Sequence, residues 1–466
     1  MIALAAAFVL TLPAVTPRIY ASDEIQYFSY LRSLWFDRDV SFENEYRYFY
    51  DRNIGRGENF HATFLELKTA VGLRPNFGTL GAAILWAPFY AAGDVTARGL
   101  RALGREVAVD GFSQPYLSAV AYGSAWYGFA ALVLAASAAR QIHRRWNASG
   151  TREPADVVAA ASIWAGTPLL FYMYVAPPYA HAASAFAVAL FVVVWLHVRR
   201  TWSVGGAIAL GLSGALMGMV REQDVFIALG PAADFALTAA RAHRQPATGR
   251  SGSHYLRAAA AGCAAFLIGF LPQLLAYWAL NGYPGPSGLV VRKMSWHSPH
   301  ALHVLASPEH GFFLWTPLAL IALAGLAVLV RRQERDVRRI AGCALLMVAL
   351  QVYVSGSVDS WTVAGAYGQR RFVAVSVLLV IGLAAALRAV PAGPRAFAAA
   401  VAVALCVWWN LGLTAAFGIG LMNRQRLELS RNAYDVFVTV PALAPQLAIR
   451  YFSDRDSFYR QGQRQE

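Results

Sequence analysis

Uncharged apolar stretches of about 16 to 25 residues recur from the first residue to the neighbourhood of Phe417. Each is long enough, as a helix, to cross a hydrocarbon layer of about 30 Å or nearly so. The recurrence excludes a soluble enzyme, a single-span receptor and a disordered scaffold. Composition agrees, since only 14% of residues are charged, against about 25% in a soluble domain. A disulfide framework is excluded too, because Cys263, Cys343 and Cys406 all lie inside apolar runs. The spans read as residues 1–20, 115–139, 157–174, 182–198, 204–220, 225–239, 258–280, 312–330, 340–354, 372–387 and 396–417. The expected fold is therefore an all-α polytopic membrane protein of about eleven transmembrane helices. Residues 1–417 would form one membrane domain, with residues 22–114 as a long first loop and residues 418–466 as a short tail on the same side as that loop. The first segment has no basic stretch before it, so it reads as a retained helix instead of a cleavable signal.

The net charge is +14, and all of the 40 basic residues except Lys68 and Lys293 are arginines. Such a balance would suit nucleic acid if it were clustered on one face, but the arginines gather in alternate loops between spans, so no nucleic-acid partner is expected. With the N-terminus cytoplasmic, the inner loops carry Arg140, Arg144, Arg145, Arg199, Arg200, Arg241, Arg244, Arg250 and Arg257. Further along they carry Arg331, Arg332, Arg335, Arg338, Arg339, Arg388 and Arg395. The short outer loops hold only Arg221, Arg292, Lys293, Arg370 and Arg371. This asymmetry follows the positive-inside rule. The alanine- and arginine-rich, lysine-poor composition suggests a high-GC bacterium, and hence the inner membrane.

The first loop is too long for a plain connector. Tyr27, Phe28, Leu31, Leu34 and Trp35 share one helical face, opposite Gln26, Ser29, Tyr30 and Ser33. That pattern predicts an interfacial helix lying on the outer leaflet. Residues 77–92 are apolar but short and contain Pro88, so they read as re-entrant or surface-lying.

Candidate chemistry lies in the outer loops. Asp23 and Glu24 follow the first span at once, where a carboxylate is a candidate general base or cation ligand. Ser22-Asp23-Glu24 also suits a helix start, with an N-cap and first-turn acids. Asp37-Arg38-Asp39 reads either as an acidic pair for a metal with a nucleotide sugar or as a solvated helix end. His181 follows Pro177-Pro178 at the outer end of a span, as a substrate ligand or a structural histidine. Arg370 and Arg371 open a span on the arginine-poor side, after Gly365 and Gly368, where a planar guanidinium at a helix start suits a phosphate. The alternative is snorkelling to lipid headgroups. Arg292 and Lys293 add two cations that could reach the same anion. Arg221 reads as pairing with Glu222 or Asp224 in a tight turn. No closed zinc-site spacing and no glycine-rich nucleotide loop occurs.

With these residues placed, the chain resembles the GT-C superfamily of polytopic glycosyltransferases, which includes protein O-mannosyltransferases, lipid A aminoarabinose transferases and family 39-like proteins. The likeness rests on Asp23-Glu24 after the first span, the long first outer loop and Pro75-Asn76-Phe77-Gly78 followed by Leu85-Trp86-Ala87-Pro88-Phe89. It also rests on Pro178-Tyr179-Ala180-His181, Ser307-Pro308-Glu309-His310-Gly311 leading into Trp315-Thr316-Pro317, and Gly368-Gln369-Arg370-Arg371-Phe372. The resemblance implies transfer of a sugar from a polyprenyl phosphate carrier to a lipid, glycan or protein acceptor on the outer face, with inversion. It maps the catalytic acid onto Asp23, with Glu24 beside it. Arg370, Arg371, Arg292 and Lys293 would bind the donor phosphate, and His181, Glu309, His310, Gln369 and Tyr367 would line the substrate. The resemblance leaves metal dependence open, allowing a divalent cation without requiring one. A lipid-linked sugar flippase or transporter is the competing class; transporters commonly carry internal repeats and charges near the bilayer midplane, neither of which is evident here.

Overall fold

The computed structural model is all-helical, with no strand among the residues it describes, 1–55, 59–146, 154–244, 252–363, 365–455 and 457–458. Apolar sequence becomes helix here because each peptide group in hydrocarbon must find its partner within its own segment. The helices are α1 (Ile2–Thr11), α2 (Ser22–Arg32), α3 (Glu43–Asp51), α4 (Gly81–Ala102), α5 (Gln114–Trp146), α6 (Pro154–Gly166), α7 (Leu169–Tyr174), α8 (His181–Val198), α9 (Val204–Val220), α10 (Leu229–Arg244) and α11 (Gly252–Asn281). Three short turns follow, α12 (Gly288–Val291), α13 (Ala301–Ala306) and α14 (Phe312–Trp315). Then come α15 (Leu318–Val330), α16 (Arg335–Gly356), α17 (Ser376–Ala389), α18 (Pro394–Gly418), α19 (Leu429–Tyr434) and α20 (Val440–Ser453).

Eight helical stretches are long and apolar enough to cross a membrane: Gln114–Arg144, His181–Val198, Glu222–Arg244, Gly252–Asn281, Arg335–Gly356, Arg370–Ala389, Pro394–Gly418 and Leu429–Ser453. All but the last coincide with expected spans. The other four expected spans are shorter than read. Residues 1–20 yield the ten-residue α1 and a 3-10 turn, because Pro13 and Pro17 end the helix. Residues 157–174 break at Thr167-Pro168 into α6 and α7. Val204–Val220 has 17 residues and Leu318–Val330 has 13. Packing supplies what length does not. A Cβ on Gly325 of α15 would lie 1.8 Å from the Gly382 carbonyl oxygen of α17, the close backbone approach that small residues allow between membrane helices.

Asp23, His181, Arg221 and Arg370 gather at one end of the bundle, here the site end. Loop arginines at the opposite end are partnered. Asp234 is fully buried and meets Arg199 Nε at 2.8 Å, Arg339 Nε at 2.6 Å and Trp195 Nε1 at 3.0 Å. Asp156 likewise meets His143 and Arg388, each at 2.9 Å. Arg250, assigned to an inner loop above, lies outside the described residues.

Residues 22–114 form a folded cap on the site end. The expectation that α2 lies on the membrane with one apolar face is corrected, because α3 and α4 pack on it from two sides. Gln26, Ser29, Tyr30 and Ser33 are buried with Phe28 and Leu31, while Leu34 and Trp35 are exposed. Asp37 and Asp39 finish this helix, Asp37 binding Arg32 and Asn44, and Asp39 accepting from the Ser33 hydroxyl at 2.7 Å. α4 runs beside the first half of α5: a Cβ on Gly93 would meet the Pro115 carbonyl at 2.9 Å, and the Tyr127 hydroxyl donates to the Leu85 carbonyl at 2.8 Å. Its start abuts the end of α9, since a Cβ on Gly81 would lie 2.4 Å from the Met219 carbonyl carbon. Residues 77–92 thus belong to the cap, above the end of α9.

The region expected as a short tail is also reshaped. Leu429–Ser453 is one continuous helical rod whose two flanks both reach the site end. The Leu427 amide donates to Pro308 O at 2.9 Å, and Arg455 donates to Pro13 O and Ala14 O at 2.7 Å. The rod crosses α18 where Trp408 Nε1 bonds Val436 O at 3.1 Å. It leaves Phe437, Val438, Ile449 and Phe452 exposed. A helix long enough to span therefore lies across the site end. Residues 459–466 of the expected tail lie outside the described residues.

Candidate functional site

α2 opens at Ser22 with Ala21 as its N-cap, which has no side-chain oxygen to offer. Glu24 supplies the cap from inside the helix: its Oε2 accepts from the Tyr20 amide at 2.8 Å and the Ala21 amide at 3.1 Å. This turns Glu24 inward, away from any cavity wall, and leaves Asp23 facing out. Burial pushes the Glu24 carboxyl up to about 8, against the pull of the two amides, with the Asp23 charge adding to the rise. The native state therefore keeps a proton that the unfolded chain loses near 4.5. Stability will fall as pH rises through the window from 4.5 to about 8, by at most about 1.4 kcal/mol per pH unit, and level off above it. Glu24→Gln, which keeps the accepting oxygen, will flatten this slope in denaturant titrations without loss of stability at neutral pH.

Asp23 Oδ2 lies 2.7 Å from Arg370 Nη1. The guanidinium of Arg370 in turn lies over the Tyr179 ring, 5.4 Å from its centroid. Gly368 makes this placement possible, with φ of +60° and Pro168 Cγ only 2.7 Å from where a Cβ would stand. The next residue, Gln369, is buried and donates to His310 O at 3.3 Å and Trp361 O at 3.1 Å. Arg371 then bends the other way, donating to Ser360 O at 3.1 Å while its own carbonyl receives Gln351 Nε2 at 2.9 Å.

A cavity of about 440 Å³ opens beside this pair, walled by Asp23, Tyr27, Arg221, Glu222, Lys293 and Arg371. Lys293 is carried there because the Met294–Val358 bridge and the Asp359 amide, 2.9 Å from Lys293 O, tie its loop to the one before Arg371. The remaining side is apolar, formed by Phe226, Val290, Val291, Met294 and Trp296. Burial holds the Tyr27 phenol above its ordinary range, so it remains a neutral donor. One wall thus carries a carboxylate, and three cations from three separate loops face the same space.

The expected pairing of Arg221 with Glu222 or Asp224 is replaced. The Tyr277 hydroxyl donates to Glu222 and the Ser184 hydroxyl to Asp224, while Arg221 donates to the His181 ring. His181 lies within the bundle against Tyr172 and Tyr179 and orients Arg221 without lining the cavity. His310 is buried, stacked on Trp315 at 4.8 Å with Nε2 at 2.9 Å from Ala366 O. Burial pushes it down to about 4, so it is neutral. Tyr367 bonds Asn410 and faces a different cavity, whereas Arg292 and Glu309 are exposed and line neither. Arg221, Glu222 and Tyr27 were not singled out as site residues from the sequence. The signal for Arg221 was present, as it is another arginine on the arginine-poor side. No group of three or more metal-ligating side chains occurs among the described residues. Asp23 and Glu222 are the only carboxylates lining this cavity. No protein-family model and no curated protein matches this chain.

Proposed function

We propose that the chain is a GT-C-like membrane glycosyltransferase, moving a sugar from a polyprenyl phosphate carrier to an acceptor on the outer face with inversion. The observation that carries this reading is the cavity in which Asp23 faces Arg221, Lys293 and Arg371, with an apolar side formed by residues such as Val290 and Val291. An anionic sugar phosphate on a hydrocarbon tail has that distribution of charge. The acceptor oxygen attacks the anomeric carbon as the carbon–phosphate oxygen bond breaks, and the bonding pair leaves on the lipid phosphate. Asp23 takes the acceptor proton, and the arginines hold the growing phosphate charge in a preorganised field. The pair of Asp23 with Arg370 supports a gating role: a donor phosphate that engages Arg370 releases the carboxylate for the acceptor. Release of sugar by the purified protein from a panel of polyprenyl phosphate sugars, with acceptors present, tests the reading. No release with any donor from folded protein would favour the flippase alternative.

If Arg371 grips the phosphate with its planar fork, Arg371→Lys will lower kcat/KM by about 3 kcal/mol, nearly as far as Arg371→Ala, because lysine keeps the charge but not the bidentate geometry. Wild-type kinetics in the lysine variant would return the residue to lipid anchoring. The orientation is part of the proposal: bacterial inner membrane, cytoplasmic N-terminus, site end outside. The arginine-rich loops clamped at the opposite end support it. Cysteine at Glu309 will label from outside and cysteine at Arg335 from the cytoplasm. Labelling of both from one side would overturn the sidedness.

A further inference from the structure

A second cavity, of about 540 Å³, lies on the far side of the Asp23–Arg370 pair and shares no wall residue with the first. The partition is thin. Tyr20 and Ala21 line the second cavity while Asp23 lines the first, and Tyr179, whose ring carries Arg370 on one face, belongs to the second wall. The wall is dominated by aromatic and aliphatic side chains, interrupted by Arg18, Arg52, Arg424 and Arg455, and no acid is among its described residues. Three of these arginines are held by ring faces: Arg52 lies 3.7 Å from the Tyr48 centroid, Arg424 4.9 Å from Phe417 and Arg455 4.8 Å from Tyr451. Stacking in this way fixes a guanidinium plane while leaving much of its charge to act on the space beside it. The helical rod Leu429–Ser453 ends at this cavity, with Ile449 and Phe452 facing out. An apolar chamber ringed by arginines and flanked by a helix with exposed apolar side chains fits a lipid with an anionic head.

We infer that this second cavity is the acceptor site and takes an anionic lipid, presenting its head group to Asp23 across the Tyr179–Arg370 wall. The inference rests on the transferase reading and narrows its acceptor from lipid, glycan or protein to lipid. Charge complementarity argues for the anionic head. The donor is assigned to the other cavity, where Asp23 and Arg371 stand.

The test uses the full chain in detergent and phosphatidylglycerol carrying a photoreactive diazirine in one acyl chain, with diazirine phosphatidylcholine as the neutral control. The anionic probe is expected to label peptides covering residues 48–55, 417–424 and 451–455, about 10-fold more than the neutral probe, the size of one lost charge-assisted bond. Gly418→Trp should abolish the labelling, since nothing lies within 4 Å of a Cβ placed there and the indole has room to fill the chamber without disturbing the backbone. Arg52→Glu should lower it about 10-fold by the same reasoning, and Asp23→Asn should leave it intact. Equal labelling by the neutral probe, persistence in Gly418→Trp, or displacement by polyprenyl phosphate would overturn the assignment. Because labelling needs no turnover, an active transferase that fails to label refutes the lipid site alone, whereas absence of sugar release refutes the transferase reading.

Discussion

Asp23→Asn will lower sugar transfer by about 10²- to 10⁴-fold, the contribution of a general base, and leave folding unchanged. Asparagine has the size of aspartate, and capping of α2 belongs to the Glu24 side chain instead. The residue can still accept a bond from Arg370, so the wall between the cavities keeps its shape. What it lacks is the basicity to take the acceptor proton. A loss of less than about tenfold, with saturating donor and acceptor, would remove Asp23 from the base role. In that event Glu222 is the carboxylate in the cavity that must be tried next, since Glu24 is turned away from it.

Asp234→Ala will destabilise the bundle by about 3 to 5 kcal/mol, the cost of leaving buried charge without its partner. Both Arg199 and Arg339 depend on this carboxylate, and Arg199 is almost wholly buried. Arg199 also reaches Asp336 at 2.5 Å, but that partner is half-exposed and does not replace Asp234. SDS-titrated unfolding will read the loss. Replacing Asp234, Arg199 and Arg339 together by apolar residues of similar volume should restore most of it, because no charge is then stranded. Equal stability of Asp234→Ala and wild type would mean that the cluster is hydrated and not a clamp.

The helical class and seven of the long apolar helices are written in local composition, because hydrocarbon admits no other spanning backbone and a run of about 20 apolar residues satisfies it alone. The positions of Asp23, Arg370 and Arg371 were legible for a similar reason: charge is costly at a membrane surface, so each departure from the loop pattern stands out. Which charges meet was not legible. Asp23 and Arg370 are far apart in the chain, and their contact depends on the left-handed turn at Gly368 against Pro168 and on the proline break that seats Tyr179. Arg221 was read with its sequence neighbours Glu222 and Asp224, yet a helix end points adjacent side chains in different directions, and His181 stands where its guanidinium arrives. The face of α2 was misread because one-sided amphipathicity assumes one apolar neighbour, whereas α3 and α4 enclose that helix. Length and hydropathy likewise cannot distinguish a spanning helix from the rod Leu429–Ser453, which is apolar enough to cross but is fixed at both flanks to the site end by the Leu427 amide and Arg455. The sequence thus determined which segments enter hydrocarbon, a property of each segment by itself. The tertiary structure decided which loops share a cavity, because that depends on contacts between segments that no local pattern encodes.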